Sequence, residues 1–173
     1  MSAVYEVISS SLGEVLVAEI DGELAALFFV TKATVLDRVK ELSKCYPSMN
    51  FIEGHTRNQK NLTKLLNGDD VMDNLPISEL VFKRCSDFRK AVYKQLLKIP
   101  RGCTISYAEV ARRIGRPTAY RAVAQACGAN ILCVIIPCHR VVASDGTLHG
   151  YSAGLDLKQR LLKMESSQLP LKE

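Results

Sequence analysis

The short segment Pro137-Cys138-His139-Arg140 brings chemistry-bearing side chains together more closely than any other part of this 173-residue chain. The cysteines are Cys45, Cys85, Cys103, Cys127, Cys133 and Cys138, and none forms the Cys-x-x-Cys pair that zinc sites favour. A lone cysteine is more often a small buried hydrophobe than a nucleophile, so each needs specific neighbours before it is given a role. Cys138 alone has them. Its thiolate would be a strong, soft nucleophile, and a neighbouring histidine or positive charge lowers a thiol from about 8.5 into the range of roughly 3.5–7.5. His139 is the obvious partner. Consecutive side chains on an extended segment point to opposite faces, so its link to the Cys138 sulfur calls for a bridging water.

The elements that must position this segment fall into two parts of opposite charge. Residues 1–80 carry 7 Lys/Arg against 12 Asp/Glu, whereas residues 81–173 carry 16 against 6, a net of +10. A basic half suits an anionic partner such as nucleic acid. In the first part, Val4–Ile8 and Glu14–Ile20 read as strands, with Asp21-Gly22 turning into a third, Leu24–Val30. A helix opened by Thr31 or Thr34, a short strand at Phe51-Ile52 and a helix through Leu62, Leu65 and Leu66 follow. Breakers in Asn67–Leu80 set the expected boundary, giving domains of 1–80 and 81–173.

In the second part, Ser86-Asp87 caps a helix carrying Phe88, Val92, Leu96 and Ile99, which stops at Pro100-Arg101-Gly102. Ser106-Tyr107-Ala108-Glu109 has the capping-box pattern and starts a short helix halted by Gly115-Arg116-Pro117. Thr118 would cap the next helix, thin with Ala119, Ala122, Ala124 and Ala126, and Gly128 would stop it. Two short helices joined by a Gly-Arg-Pro turn read as helix-turn-helix. An apolar strand, Leu132–Ile136, then leads into Pro137-Cys138. The apolar runs are too short for a membrane helix and Met1–Glu6 does not open a signal peptide, so the expectation is an intracellular protein, nuclear or cytoplasmic, with no membrane partner.

Pro137-Cys138-His139-Arg140-Val141 resembles the active-site signature of the O6-alkylguanine-DNA alkyltransferases. Arg121-Ala122-Val123, Ala129-Asn130, Tyr151-Ser152 and a helix over Leu155–Glu165 occur in that family's order and spacing, so the resemblance covers about Phe82 to Glu165. It implies an RNase H-like α/β N-terminal domain followed by a mainly helical helix-turn-helix, winged-helix-like C-terminal domain. It implies direct, irreversible transfer of an alkyl group, mainly methyl, from O6-alkylguanine in double-stranded DNA to Cys138, by a monomer bound through the minor groove, with no cofactor and no metal.

The same resemblance assigns roles residue by residue. Cys138 is the acceptor, His139 its water-linked base, and Glu165 the acceptor for the other imidazole nitrogen. Tyr107 donates to the guanine, and Asn130 is the hinge between recognition helix and active-site strand. Val141 and Tyr151 contact the base, Ser152 holds O6, and Ala153 stands beside the alkyl group where relatives have glycine or tryptophan. Arg121 replaces the flipped base in the stack, with Ser106, Thr118, Ala119, Ala122 and Ser144 also touching DNA. Such a transfer needs a strong nucleophile and stabilisation of the departing oxygen, because an alkyl ether is a poor electrophile. The rivals are an alkyltransferase-like binder that does not react, which would lack the thiol; a cysteine hydrolase, disfavoured by adjacent Cys and His; and a transcriptional regulator, disfavoured by a recognition helix almost bare of base-reading side chains.

Overall fold

A computed structural model describes residues 1–166 of the chain, so the end of the expected second domain, 167–173, lies outside the described residues. By its internal contacts the chain forms two compact units, one of Met1–Arg84 with Ile131–Cys133, the other of Cys85–Asn130 with Val134 onward. The division therefore falls a few residues past Leu80. Helix α3 goes with the first unit, where Ser78 N–H donates to the Leu24 carbonyl at 2.9 Å just before it.

The first unit is built on a four-stranded sheet. Strands β1 (Ala3–Ser10), β2 (Gly13–Ile20) and β3 (Glu23–Val30) form an antiparallel meander, and β4 (Ile52–Glu53) pairs parallel with β1, giving the order β3-β2-β1-β4. Asp21 and Gly22 both take positive φ, which the tight turn between β2 and β3 requires. Val15 through Ala18 on β2 and Leu24 through Leu27 on β3 are all buried, the unbroken apolar run of strands covered on both faces. Helices α1 (Val35–Cys45), α2 (Gln59–Leu66) and α3 (Glu79–Lys83) complete the unit, with Leu62, Leu65 and Leu66 of α2 buried as their spacing predicts. Single bridges from Ile77 to Leu24 and from Leu132 to Leu27 occupy the outer edge of β3, which would otherwise offer unpaired backbone groups.

The second unit holds α4 (Asp87–Leu96), α5 (Tyr107–Arg113), α6 (Tyr120–Gly128) and α7 (Leu155–Ser166), with a short parallel pair β5 (Ile105–Ser106) and β6 (Val141–Val142). Ser86 Oγ accepts from Arg89 N, and Ser106 Oγ from Glu109 N, as the cap patterns predict. The capping box is half formed, since the Glu109 carboxylate turns to Arg112 and Arg113. Three expectations are corrected. Helix α4 ends at Leu96, short of Ile99. Thr118 is exposed and does not cap α6, whose N-cap is Ala119 with no side-chain hydrogen bond; Gly128 closes the helix from inside, with Ala129 as its C-cap. The strand expected over Leu132–Ile136 does not form, because Val134 sits at φ +69°, a left-handed backbone that a β-branched residue rarely adopts and that ends an extended run.

Candidate active site

Cys138 is placed by the bend before it. Pro137, with φ −82° and ψ 62°, makes an inverse γ-turn in which Cys138 N–H donates to the Ile136 carbonyl at 2.8 Å. Cys138–Arg140 then form one turn of 3-10 helix, all three side chains buried. From the end of α6, Asn130 donates its amide to the Ile136 carbonyl at 2.9 Å and to Cys138 Sγ at 3.3 Å. Asn130 thus ties the helix to a tight turn, where a strand was expected. Burial pushes the Cys138 thiol above its ordinary value, against the pull of the Asn130 hydrogen bond and the positive charge of Lys158. The expected lowering by neighbouring donors and charge is therefore present but outweighed by burial.

His139 is fully buried and its Nε2 lies 2.8 Å from Glu165 Oε1 on α7. A carboxylate can only accept, so Nε2 carries the hydrogen and Nδ1 is the bare, basic nitrogen. Nδ1 is buried without a hydrogen-bond partner among the described residues. Burial holds the imidazole below its ordinary value, favouring the neutral ring despite the nearby carboxylate. Arg140 braces the same carboxylate, with Nε 2.9 Å from Oε2 and Nη2 2.8 Å from Oε1, while its Nη1 donates to the Ile99 carbonyl at 2.7 Å. Burial raises the Glu165 pKa, but the hydrogen bonds from His139 and Arg140 outweigh it and hold the group at about 2.

In front of the thiol lies a cavity of about 220 Å³, walled by Tyr107, Cys127, Cys138, Gly150, Tyr151 and Ser152 among others. That is smaller than the ~300–1,000 Å³ of sites for drug-sized ligands, and suits one flat ring system. Register explains how Tyr107 arrives there: Ser106 on β5 pairs with Val142 on β6, so the start of α5 stands beside the chain leaving the Cys138 turn. Its hydroxyl donates to the His149 carbonyl at 3.0 Å, and burial pushes the phenol up to about 12, so it remains a donor at neutral pH.

Two expected pocket residues do not line this cavity. Ala153 and Val141 are not among the lining residues. The Val141 carbonyl instead accepts from Lys158 Nζ at 2.7 Å.

Lys158 is the main residue that sequence reasoning missed. Although a lysine, it is fully buried, and its ammonium also donates to the carbonyls of His149 at 3.2 Å and Gly150 at 3.4 Å and reaches Tyr107 Oη at 3.5 Å. One cation therefore fastens β6 and the 149–150 loop around the pocket mouth. Burial lowers its pKa. The signal was there to be read: Lys158, Leu161 and Glu165 recur at helical spacing, which puts Lys158 on the inward stripe of α7. His149, left without a role, lines the pocket too.

Among residues expected to meet DNA, Arg121, Thr118 and Ser144 are exposed and Ala119, Ala122 and Ser106 partly so. Ser144 shares a second cavity with Tyr107.

Residues 87–167 match the family model for the 6-O-methylguanine DNA methyltransferase DNA-binding domain. A methylated-DNA–protein-cysteine methyltransferase of Methanosarcina barkeri is 54% identical over 84 residues, 49% of this chain and 53% of that protein. The chain spans about half the length of the curated relatives it matches. Crystal structures cover it more fully. The Mycobacterium tuberculosis O6-methylguanine methyltransferase superposes with a TM-score of 0.78 at 31% identity, covering 98% of this chain and 96% of that one. An M. tuberculosis OGT solved in complex with DNA gives 0.78 at 30%, covering 97% and 96%. With the buried thiol, its hydrogen-bonded asparagine and the His139–Glu165 pair in place, this chain belongs to the O6-methylguanine-DNA methyltransferase family.

Proposed function

We propose that this protein repairs double-stranded DNA by taking the alkyl group, mainly methyl, from O6 of guanine onto Cys138, once per molecule and irreversibly. The observation that carries the reading is the placement of a buried thiol, held by Asn130 at 3.3 Å, on the wall of a cavity sized for one base. The lesion must leave the duplex to bring its O6 substituent to a buried sulfur, so base flipping is part of the reaction. Sγ attacks the alkyl carbon, the S–C bond forms as the C–O6 bond breaks, and the electron pair goes to the guanine. The thiol proton passes through a water to His139 Nδ1, whose opposite nitrogen is held by Glu165. Tyr107 exchanges its bond to the His149 carbonyl for one to the base and stabilises the charge that develops there. Ser152 holds O6. The Cys138 and Val141 carbonyls accept from the exocyclic amine, the Val141 oxygen doing so beside Lys158.

The thin face of α6, with Ala119, Ala122 and the exposed Ala124, approaches the minor groove, and Arg121 fills the gap left by the flipped base. The units are read as an RNase H-like supporting domain, consistent with the strand order β3-β2-β1-β4, and a winged-helix-like DNA-binding domain. The protein acts as a monomer, where DNA is found inside the cell, and the relative solved with DNA supports that partner. The test separates binding from chemistry. Cys138→Ala should keep affinity for lesion-bearing duplex and lose transfer, while Arg121→Ala should slow reaction with duplex far more than with the free alkylated base. Transfer surviving in Cys138→Ala would end the proposal.

A further inference from the structure

Beside the base-sized cavity lies another, of about 300 Å³, lined by Tyr107, Ala108, Tyr120, Ala143 and Ser144. Tyr107 lines both, so the two cavities adjoin at one aromatic residue. Tyr120 is the first residue of α6 and is 47% exposed, one of the few large hydrophobic side chains left at the surface. About half of that residue is left to solvent. The Arg121 guanidinium carbon lies 5.9 Å from the Tyr120 ring centroid, within the range at which a cation is attracted to an aromatic face. An exposed aromatic ring on a basic face is the kind of platform on which single-strand grooves stack a base.

We infer that this second cavity is a stacking subsite for the nucleobase adjoining the alkylated guanine on the same strand, with Tyr120 as its platform. The inference rests on the proposed function, since it takes the first cavity as the guanine site. Cavities that adjoin at one aromatic residue are the arrangement expected of two subsites serving successive nucleotides. The lining of two tyrosines, two alanines and one serine favours a π-face over hydrogen-bond readout, so the subsite should accept any base. Tyr120 is a positioning residue here: it holds the strand and does not touch the reacting atoms.

The experiment measures equilibrium binding by fluorescence anisotropy in the unreactive Cys138→Ala protein, alone and combined with Tyr120→Ala or Tyr120→Phe. The probes are single-stranded oligonucleotides with one O6-methylguanine, flanked either by natural bases or by abasic residues. With natural flanks, Tyr120→Ala should weaken binding by about five- to a hundredfold, the range for one base–aromatic stack, and Tyr120→Phe by less than about twofold. With abasic flanks the three proteins should bind alike. A Tyr120→Ala loss that persists on abasic flanks would mean that the ring meets sugar or phosphate, and no loss on natural flanks would mean that it meets nothing; either overturns the subsite. Failure of methyl transfer by the unsubstituted protein, measured separately, would overturn the repair reading while leaving a flank-dependent loss to be explained by the ring.

Discussion

Asn130 Nδ2 stands 3.3 Å from Cys138 Sγ and 2.9 Å from the Ile136 carbonyl, so one amide fixes both the nucleophile and the turn that presents it. Asn130→Ala removes the donor that favours thiolate and one of the two hydrogen bonds on the Ile136 carbonyl, which keeps Cys138 N–H, and the lost bond costs about 0.5–1.5 kcal/mol. We expect lower thermal stability and at least a tenfold slower single-turnover transfer, with the acid limb of the rate profile moved to higher pH. A normal rate in a destabilised protein would reduce Asn130 to a structural tie.

The Glu165 cluster gives stability a specific pH dependence. His139 is held below its ordinary value when folded, so the unfolded chain takes up that proton first, and stability begins to fall below about pH 6.5. Glu165 is depressed to about 2 when folded, so its contribution is complete above about pH 4.5 and is lost as pH falls toward 2. Denaturant unfolding at stepped pH should show both losses. Glu165→Gln should remove the lower one; an unchanged profile would mean that the carboxylate is not coupled to folding.

Lys158→Met keeps the unbranched stem of a fully buried side chain, one atom shorter, while removing its charge and its hydrogen bonds to Val141, His149 and Gly150. The positive charge lowers the Cys138 thiol, so its loss should shift the acid limb of the transfer rate upward in pH and slow reaction at neutral pH by tenfold or more. Lys158→Arg, too large for the site, should not rescue it. A Met variant with an unshifted profile would confine Lys158 to holding the loop.

Ala153 bears on substrate size. From its place in the turn it was expected to crowd the alkyl group, yet it lies outside the lining of the cavity, to which Tyr151 and Ser152 contribute. Ala153→Gly should therefore change inactivation by O6-benzylguanine by less than about threefold. A gain of tenfold or more would return residue 153 to the pocket wall.

What the sequence made legible was whatever depends on local rules. The meander through Asp21-Gly22, the Leu62/Leu65/Leu66 face of α2 and the serine caps of α4 and α5 follow from turn chemistry, helical spacing and cap preference. The Cys138, His139, Glu165 and Asn130 set was named through family spacing, and the folded chain brings these four together. The misses are non-local. Leu132–Ile136 reads as a strand, but Val134 adopts a left-handed φ that no propensity foretells. Lys158 and Arg140 carry charges that normally point to water; their burial is compensated by carbonyls and a carboxylate supplied by residues distant in sequence. A cap expected at Thr118 failed because the chain enters α6 one residue later, at Ala119.

The most direct measurement of the central claim is intact-mass analysis with peptide mapping after incubation with excess O6-methylguanine duplex. The account predicts a gain of one methyl group per chain, located on Cys138, with no further release of guanine after one equivalent. Methyl on Cys127 or Cys133, continued turnover past one equivalent, or loss of the lesion with no change in protein mass would contradict it.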